Sequence, residues 1–302
     1  MRLEDISRQV EKDPHGFVAA CEAEYDRKID AIADAVASGA SECPIVLLSG
    51  PSGSGKTTTA HRIAERLERR GLRMHIVSMD NYFRSFSDEE QALFRKHKLD
   101  LESPDRMNGE LMASQLEAIM RGEEIRLPRF DFTTNISSLG DKTLRLGRGE
   151  LVIFEGIHAL NPDVLGSTDD YTTRIYVSVR TRLEFEDGRA PLHPSMVRLA
   201  RRMIRDRRER GRTFSDVVEL YASVERGENL YIMPYKHRAN HDVDTLIPYE
   251  LCVYKNFLPP SMPDQQERHP WLGELFAAIG QLPALNPDIL PPDTLIREFV
   301  GR

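Results

Sequence analysis

Residues 50–57 read Gly50-Pro51-Ser52-Gly53-Ser54-Gly55-Lys56-Thr57, a complete G-x-x-x-x-G-K-[ST] pattern. Glycines in such a loop let backbone N–H groups turn inward around phosphates, where a β-carbon would block the approach. The lysine of the pattern reaches the β- and γ-phosphates, and the hydroxyl of its last residue can bind Mg²⁺. The octet therefore predicts that the chain binds a nucleoside triphosphate, with Lys56 and Thr57 in these two roles.

The sequence on both sides of the octet fits this interpretation. Residues 43–49 form a short apolar run typical of a buried strand, and residues 58–67 have the apolar spacing of a helix. A helix that begins at the loop points the positive end of its dipole at an anion. A chance turn rich in glycine and serine is the alternative, and the complete pattern in this context disfavours it. The predicted nucleotide contacts are Gly50, Ser52, Gly53, Ser54, Gly55, Lys56, Thr57 and Thr58.

Composition is that of an ordinary globular protein. Of the 302 residues, 40% are hydrophobic and 29% are charged, and the formal net charge is −7. This overall charge does not favour nucleic acid as a partner. The three cysteines are widely spaced, which fits neither a disulfide framework nor a zinc site. There is no apolar run of membrane-spanning length and no signal-peptide pattern, so a cytoplasmic location without membrane contact is the expectation.

Strands and helices alternate from about residue 44 onward. The predicted strands cover 43–49, 73–79, 151–154, 174–179 and 244–247, and helices are expected over 109–121 and around 271–279. Buried apolar runs separated by helices indicate an α/β fold, here the three-layer P-loop NTPase fold with a mostly parallel sheet and helices on both faces. We divide the chain into an N-terminal helical extension (1–43), a P-loop domain (44–256) and a proline-rich tail (257–302) that packs on the core.

Two acidic residues follow predicted strands, at the sheet edge where ligands gather. Asp80 follows the second strand and could accept the proton of an attacking hydroxyl, whereas an Asx turn or helix cap is the alternative. Glu155 follows the apolar residues 151–154, where phosphate-loop enzymes carry a Mg²⁺-associated carboxylate. An ordinary loop carboxylate is the alternative there. We predict a metal site formed by Thr57, Glu155 and Asp80.

The densest charge lies at residues 198–212, where the spacing from Arg201 onward is R-R-x-x-R-D-x-x-x-R-G-R. At helical spacing, Arg198, Arg202 and Arg205 share one face. Such a run can be a solvated face or an RNA-binding patch. Since the chain already binds a triphosphate, we favour a mobile lid over about residues 196–230. Its arginines would neutralise the charge of the transferring phosphoryl group and exclude water.

These stretches, in this order, resemble the uridine kinase and phosphoribulokinase family of phosphate-loop kinases. The resemblance covers about residues 44–250 and is strongest to the bacterial "nucleoside kinase" branch, whose features extend it to the C-terminus. The stretches that carry it are 50–57, 78–83, 127–132, 151–160 and 201–212, with branch features at 155–162, 223–228, 249–251 and 296–301. It implies ATP as phosphate donor, Mg²⁺ as metal, transfer of the γ-phosphate to a hydroxyl of a small acceptor, and a homo-oligomer of two or four chains.

The resemblance also implies roles for individual residues. Asp80 becomes the general base, Glu155 the metal-associated carboxylate, and Glu102 corresponds to an aspartate that holds ribose hydroxyls in uridine kinases. Catalysis is assigned to Asp80, Lys56, Arg205 and Arg210, and further phosphate contacts to Arg202 and Arg212. The implied acceptor contacts are Asp80, Tyr82, Glu102, Phe130, Asn135 and Arg205.

The acceptor side departs from the pattern of uridine kinases. Phe130 and Asn135 stand where those enzymes usually have a tyrosine and a histidine, Ser137 stands where an arginine is common, and Leu220 replaces a glutamine. Phe130 cannot donate a phenolic hydrogen bond, and each unpaired polar group on a buried base edge costs about 1–3 kcal/mol. Uridine or cytidine is the first candidate acceptor by family, and another ribose derivative, sugar or polyol is the alternative. A non-catalytic nucleotide-sensing or RNA-binding module is the alternative of a different class.

Overall fold

Five parallel strands form the central sheet in the described part of the chain, residues 1–96 and 99–301 of a computed structural model. In chain order, the strands are β1 (Ile45–Ser49), β2 (Arg73–Ser78), β3 (Ile125–Asp131), β4 (Ile136–Leu144), β5 (Glu150–Glu155), β6 (Thr172–Ser178) and β7 (His241–Asp244). The sheet runs in the order β2-β5-β1-β6-β7, and β3 and β4 form a separate antiparallel hairpin. The predicted α/β fold with a mostly parallel sheet is confirmed.

The central position of β1 explains why its first four residues are all apolar. Side chains of a strand point alternately to opposite faces of the sheet. Val46 and Leu48 enter the larger hydrophobic core, whereas Ile45 and Leu47 enter the core on the opposite face. Because helices cover both faces, none of these side chains meets water, which is the pattern of a buried parallel strand.

Helices lie on both faces of the sheet. In chain order, they are α1 (Leu3–Lys12), α2 (Pro14–Gly39), α3 (Lys56–Glu68), α4 (Asp88–Arg95), α5 (Gly109–Met120), α6 (Pro162–Leu165), α7 (Pro194–Arg210), α8 (Phe214–Tyr231), α9 (Glu250–Tyr254), α10 (Pro263–Arg268), α11 (Leu272–Gln281) and α12 (Arg297–Val300). α1, α2, α3, α7 and α11 contribute to the larger core, and α5 and α6 to the opposite one. Among residues 1–96 and 99–301, no helix combines the length and the apolar character needed to cross a membrane.

Both terminal segments pack on the central unit. The hydroxyl of Tyr25 in α2 lies 2.8 Å from Oγ1 of Thr59 in α3, the helix that leaves the phosphate loop. The buried Glu22 carboxylate, also in α2, accepts a hydrogen bond of 2.6 Å from the hydroxyl of Thr294 in the C-terminal tail. The N-terminal extension therefore joins the phosphate-loop helix to the tail.

β7 begins earlier than the sequence predicts. The apolar pattern predicts a strand at 244–247, but the strand is His241–Asp244 and pairs with Ile175–Ser178 of β6. Beyond it, the backbone N–H of Ile247 donates to Oε1 of Glu250 at 3.0 Å, so the chain has already turned towards α9. Leu246 and Ile247 are buried although they lie outside the strand. An apolar pattern indicates burial and does not distinguish a strand from a buried turn.

Candidate active site

A cavity of about 670 Å³ is lined by the phosphate loop, by residues that follow β2 and β5, and by α7. The loop connects β1 to α3, as predicted. Gly55 has φ +82°, and a β-carbon there would also lie 2.6 Å from Cδ1 of Leu295, so the position requires glycine. Lys56 is the first residue of α3, and its Nζ donates to the backbone oxygen of Pro51 at 3.3 Å. The ammonium group therefore lies over the loop, at the positive end of the α3 dipole.

The strand register brings Glu155 to the loop. Glu155, the last residue of β5, is the register partner of Leu48 in β1 and of Ser78 in β2. The Thr57 hydroxyl donates to Oε1 of Glu155 at 3.5 Å. Burial raises the pKa of Glu155, and the nearby Lys56 charge opposes that shift. A hydroxyl and a carboxylate side by side are oxygen ligands of the kind Mg²⁺ prefers, so the residues present fit this metal.

Asp80 lies in a short 3-10 turn, Met79–Tyr82, directly after β2. The turn is capped by Ser78, whose Oγ accepts from the backbone N–H of Asp80 at 3.4 Å. The capping role that the sequence left open for Asp80 therefore belongs to Ser78. The Asp80 side chain is exposed at the cavity. Desolvation by the cavity walls raises the pKa of its carboxyl group, whereas Lys56, Arg210 and Arg205 act in the opposite direction.

Asp206 forms ion pairs with the arginines that were predicted to contact the phosphates. Its fully buried carboxylate lies 2.8 Å from Nη2 of Arg205, 3.2 Å from Nη1 of Arg210 and 3.1 Å from Nη1 of Arg212, and Nη2 of Arg202 is 4.0 Å away. Burial would raise the pKa of Asp206, but these arginines hold it below its usual value. One carboxylate against four guanidinium groups leaves an excess of positive charge, which suits a phosphate chain.

α7 is attached to the phosphate loop by three of its arginines. Arg198 and Arg201 donate to the backbone oxygens of Ser52 and Gly53, each at 3.1 Å. Arg202 donates to the hydroxyl of Ser52 at 2.6 Å. The first turns of α7 are therefore a wall of the site, and Arg198 is buried rather than on a solvated face. The lid over residues 196–230 stays a prediction.

Part of the cavity wall is apolar. Phe83, Phe94, Phe132, Leu101 and Leu220 line it. Glu102 also lines the cavity, and burial raises its pKa to about 7 although Arg202 acts in the opposite direction. Its buried Oε2 atom has no hydrogen-bond partner among the described residues. An unpaired carboxylate oxygen in a cavity is a site for a ligand hydroxyl, since burying it unpaired is unfavourable.

Three residues predicted to contact the acceptor do not line the cavity. Tyr82 is fully buried and its hydroxyl donates to Gln115 at 2.7 Å. Phe130 packs edge-on against Phe83, with ring centroids 5.6 Å apart, and Asn135 forms the β3–β4 turn with φ +58°. Direct contacts of the acceptor with Tyr82, Phe130 and Asn135 therefore stay a prediction, since a motif gives the position of a turn but not the direction of its side chains. Phe130 instead supports the aromatic wall.

The family follows from the sequence itself. A sequence model of the phosphoribulokinase / uridine kinase family matches residues 45–248. This chain belongs to that family. The predicted resemblance is thereby confirmed, and the match includes the phosphate loop, Asp80, Glu155 and the arginines of α7. The chain is accordingly a transferase of the P-loop kinase type.

Individual family members show how far the likeness extends. The uridine kinase of Lactobacillus johnsonii is 29% identical over 202 residues, which are 66% of this chain and 86% of the relative. The uridine kinase of Deinococcus deserti is 31% identical over 206 residues, 68% and 87% of the two chains. A crystal structure described as a "putative fructose transport system kinase" from Silicibacter sp. TM1040 aligns with TM-score 0.50 and 19% identity, over 71% of this chain and 98% of that one. The structural likeness supports the fold alone.

Two site residues of this family member were not predicted. Asp206 stands within the arginine run, and seven arginines within seven residues of one aspartate are a signal for an ion-pair centre. Glu298 of α12 lines the cavity and accepts hydrogen bonds from Thr58 in the phosphate loop. These residues are 240 positions apart, and nothing in their local sequence connects them.

Proposed function

We propose that this family member transfers the γ-phosphate of Mg²⁺-bound ATP to a hydroxyl of a small, ribose-like acceptor. The observation that carries the proposal is the position of Asp80. Its carboxyl group faces the same cavity as the phosphate loop, with Lys56, Arg205 and Arg210 around it. A base beside a phosphate site and a cluster of cations is the arrangement that phosphoryl transfer to an alcohol requires.

Different residues of the chain would bind the phosphates, hold the metal and accept the proton. The loop N–H groups, Lys56 and the α7 arginines would bind and orient the phosphates and balance the charge on the transferring group. Thr57 and Glu155 would hold Mg²⁺, which supplies further charge neutralisation when bound. Asp80 would accept the proton of the acceptor hydroxyl as its oxygen bonds to phosphorus and ADP leaves. Desolvation strengthens Asp80 as a base, and the neighbouring cations favour its ionised form.

Glu102 and the apolar wall define the acceptor end. We propose that the Glu102 carboxylate accepts hydrogen bonds from acceptor hydroxyls. Uridine is the first candidate because the relatives are named uridine kinases, and cytidine is the closely similar nucleoside beside it. The apolar wall favours a second candidate, a ribose derivative, sugar or polyol with an apolar substituent. Phe132 and Leu220 have no side-chain group that could pair with a base edge.

The test is ADP release from ATP over a panel of uridine, cytidine, sugars, polyols and alkyl or aryl ribosides. Acceptor-dependent release by any of them supports the kinase, and the order of kcat/KM identifies the acceptor class. No acceptor-dependent release, together with tight and salt-sensitive RNA binding, would support the nucleotide-sensing or RNA-binding module instead. The ion pairs of Arg205 and Arg212 with Asp206 and the hydrogen bond from Arg202 to Ser52 of the loop disfavour that module.

The homo-oligomer of two or four chains also stays a prediction. Light scattering during size-exclusion chromatography gives the molar mass directly, and a single-chain mass would contradict it.

A further inference from the structure

The C-terminal tail lies on the phosphate loop. Oε2 of Glu298 in α12 accepts two hydrogen bonds from Thr58, one from the backbone N–H at 3.2 Å and one from the hydroxyl at 2.6 Å. Leu295, three residues earlier, lies against Gly55 of the loop. The tail therefore contacts the part of the molecule that is built to bind phosphate.

The two donors of Thr58 are donors that a phosphate would use. Thr58 is the third residue of α3, and the first N–H groups of a helix have no acceptor within the helix. In the G-x-x-x-x-G-K-[ST] loop, such N–H groups surround the α- and β-phosphates. A carboxylate carries the same sign of charge and the same acceptor chemistry as a phosphate oxygen. Glu298 thus satisfies these donors in the place of a phosphate.

The backbone around Glu298 is fixed, while its side chain is partly exposed to the cavity. Phe299 is fully buried, and its ring lies 5.1 Å from the Arg201 guanidinium carbon. Nη1 of Arg208 in α7 donates to the backbone oxygen of Phe299 at 2.8 Å. Leu295 is also fully buried. Release of the two Thr58 donors therefore requires rotation of the Glu298 side chain, and the backbone of the tail stays in place.

We propose that Glu298 is an internal competitor of the triphosphate, whose carboxylate holds the Thr58 donors and withdraws when a phosphate chain binds. The competition lowers the affinity for ATP and ADP alike, and it keeps the start of α3 satisfied in the free enzyme. This inference rests on the proposed nucleotide site. It assigns the tail a function that the proposed phosphotransfer does not by itself require.

The test compares Glu298→Gln with the unmodified protein by calorimetric titration of ATP, ADP and adenosine. The amide keeps the size of the side chain but removes the competing charge. Hydrogen bonds to charged groups are the stronger ones, so we expect ATP and ADP to bind about tenfold more tightly. The affinity for adenosine should not change, because adenosine has no phosphate. Unchanged or weaker ATP binding by Glu298→Gln would overturn the proposal.

Glu209→Gln is the matched control. Glu209 lines the same cavity but pairs with Arg208 and not with the loop. If Glu209→Gln tightens ATP binding as much as Glu298→Gln, the effect is general electrostatics and the competition is refuted. If the unmodified protein does not bind ATP at all, both the proposed function and this inference fail. If it binds ATP and Glu298→Gln binds it no more tightly, only this inference fails.

Thermal unfolding is a second measurement, in which removal of the Glu298 carboxylate should lower stability although it raises the affinity for ATP. Without nucleotide, Glu298→Ala leaves the Thr58 N–H without its cap, so the melting temperature should fall by about 1–4 °C. A competitor therefore predicts lower stability with tighter ATP binding in the same variant. A tail that only supports the loop predicts that both decrease, and that result would contradict the proposal.

Discussion

Arg201 and Glu250 form a fully buried, two-point ion pair, with Nε–Oε2 and Nη2–Oε1 distances of 2.7 and 2.9 Å. The pair lies between α7 and α9, and Arg201 also donates to the backbone oxygen of Gly53 in the phosphate loop. Because Glu250 holds the guanidinium group of Arg201 in place, the ion pair fixes the distance between α7 and the phosphate loop. The carboxylate itself raises the pKa of Arg201 against the effect of burial, so the Arg201 guanidinium group stays charged in the folded protein.

Removing one partner of this pair should destabilise the fold strongly. Arg201→Met leaves the Glu250 carboxylate buried and unpaired, and such changes cost about 3–5 kcal/mol. The free energy of unfolding in urea measures it. Arg226→Met is the matched control, since Arg226 pairs with Asp100 at 3.1 Å but its side chain is 62% exposed. Pairs of that kind contribute about 0–1 kcal/mol. Equal losses in the two variants would refute the role given to the buried pair.

Asp80→Asn should separate chemistry from binding. The amide has nearly the same shape but cannot accept the acceptor proton, so we expect kcat to fall by a factor of about 10²–10⁴ or more. ATP affinity should stay the same or increase slightly, because a negative charge is removed beside the phosphates. Single-turnover ADP release and ATP titration measure the two quantities. Turnover that survives in Asp80→Asn would exclude Asp80 as the base.

Glu102 should make stability depend on pH in a defined window. Its pKa is raised from 4.5 to about 7, chiefly by burial, so the folded protein binds this proton more tightly than the unfolded chain. The stabilising contribution of Glu102 is then fully present below about pH 4.5 and is lost as the pH rises towards 7. Glu102→Gln cannot titrate. The stability of the unmodified protein relative to Glu102→Gln, measured in urea, should therefore fall from pH 4.5 to 7 and then level off.

The titration of Glu102 should also change the acceptor KM. Here the ionised carboxylate is the favourable form, whereas the protonated form is favourable for stability. Acceptor hydroxyls need an ionised carboxylate as hydrogen-bond acceptor, so the acceptor KM should fall as the pH rises through about 7. Glu102→Gln should raise the acceptor KM, remove this pH dependence and leave the ATP KM unchanged. A pH-independent KM in the unmodified protein would argue against contact between Glu102 and the acceptor.

The sequence predicted those features that are encoded locally. The loop octet, the apolar strand before it and the acidic residues Asp80 and Glu155 at the ends of β2 and β5 lie within short, interpretable segments, and parallel-sheet topology brings these ends together. What escaped prediction depends on side-chain direction or on long-range packing. Tyr82 lies just beyond the predicted strand β2 and its hydroxyl donates to Gln115, and Glu298 reaches Thr58 only through tail packing. The β7 boundary was misplaced because Leu246 and Ile247 are buried without being in the strand.

Gly227 and Gly280 offer a last, paired prediction. Both are helical glycines, in α8 and α11, and alanine in a helix is ordinarily favoured over glycine by about 0.5–1 kcal/mol. A β-carbon on Gly227 would lie 2.4 Å from Cβ of Glu102, whereas one on Gly280 would meet no atom of the described residues within 4 Å. Gly280→Ala should therefore stabilise the protein by about that amount, while Gly227→Ala should destabilise it by about 1–3 kcal/mol through overpacking. Because the clash displaces Glu102, Gly227→Ala should also raise the acceptor KM at constant ATP KM. Steady-state kinetics on both variants, with urea unfolding, measures these effects, and a Gly227→Ala protein as stable and active as Gly280→Ala would show that the close approach to Glu102 does not matter.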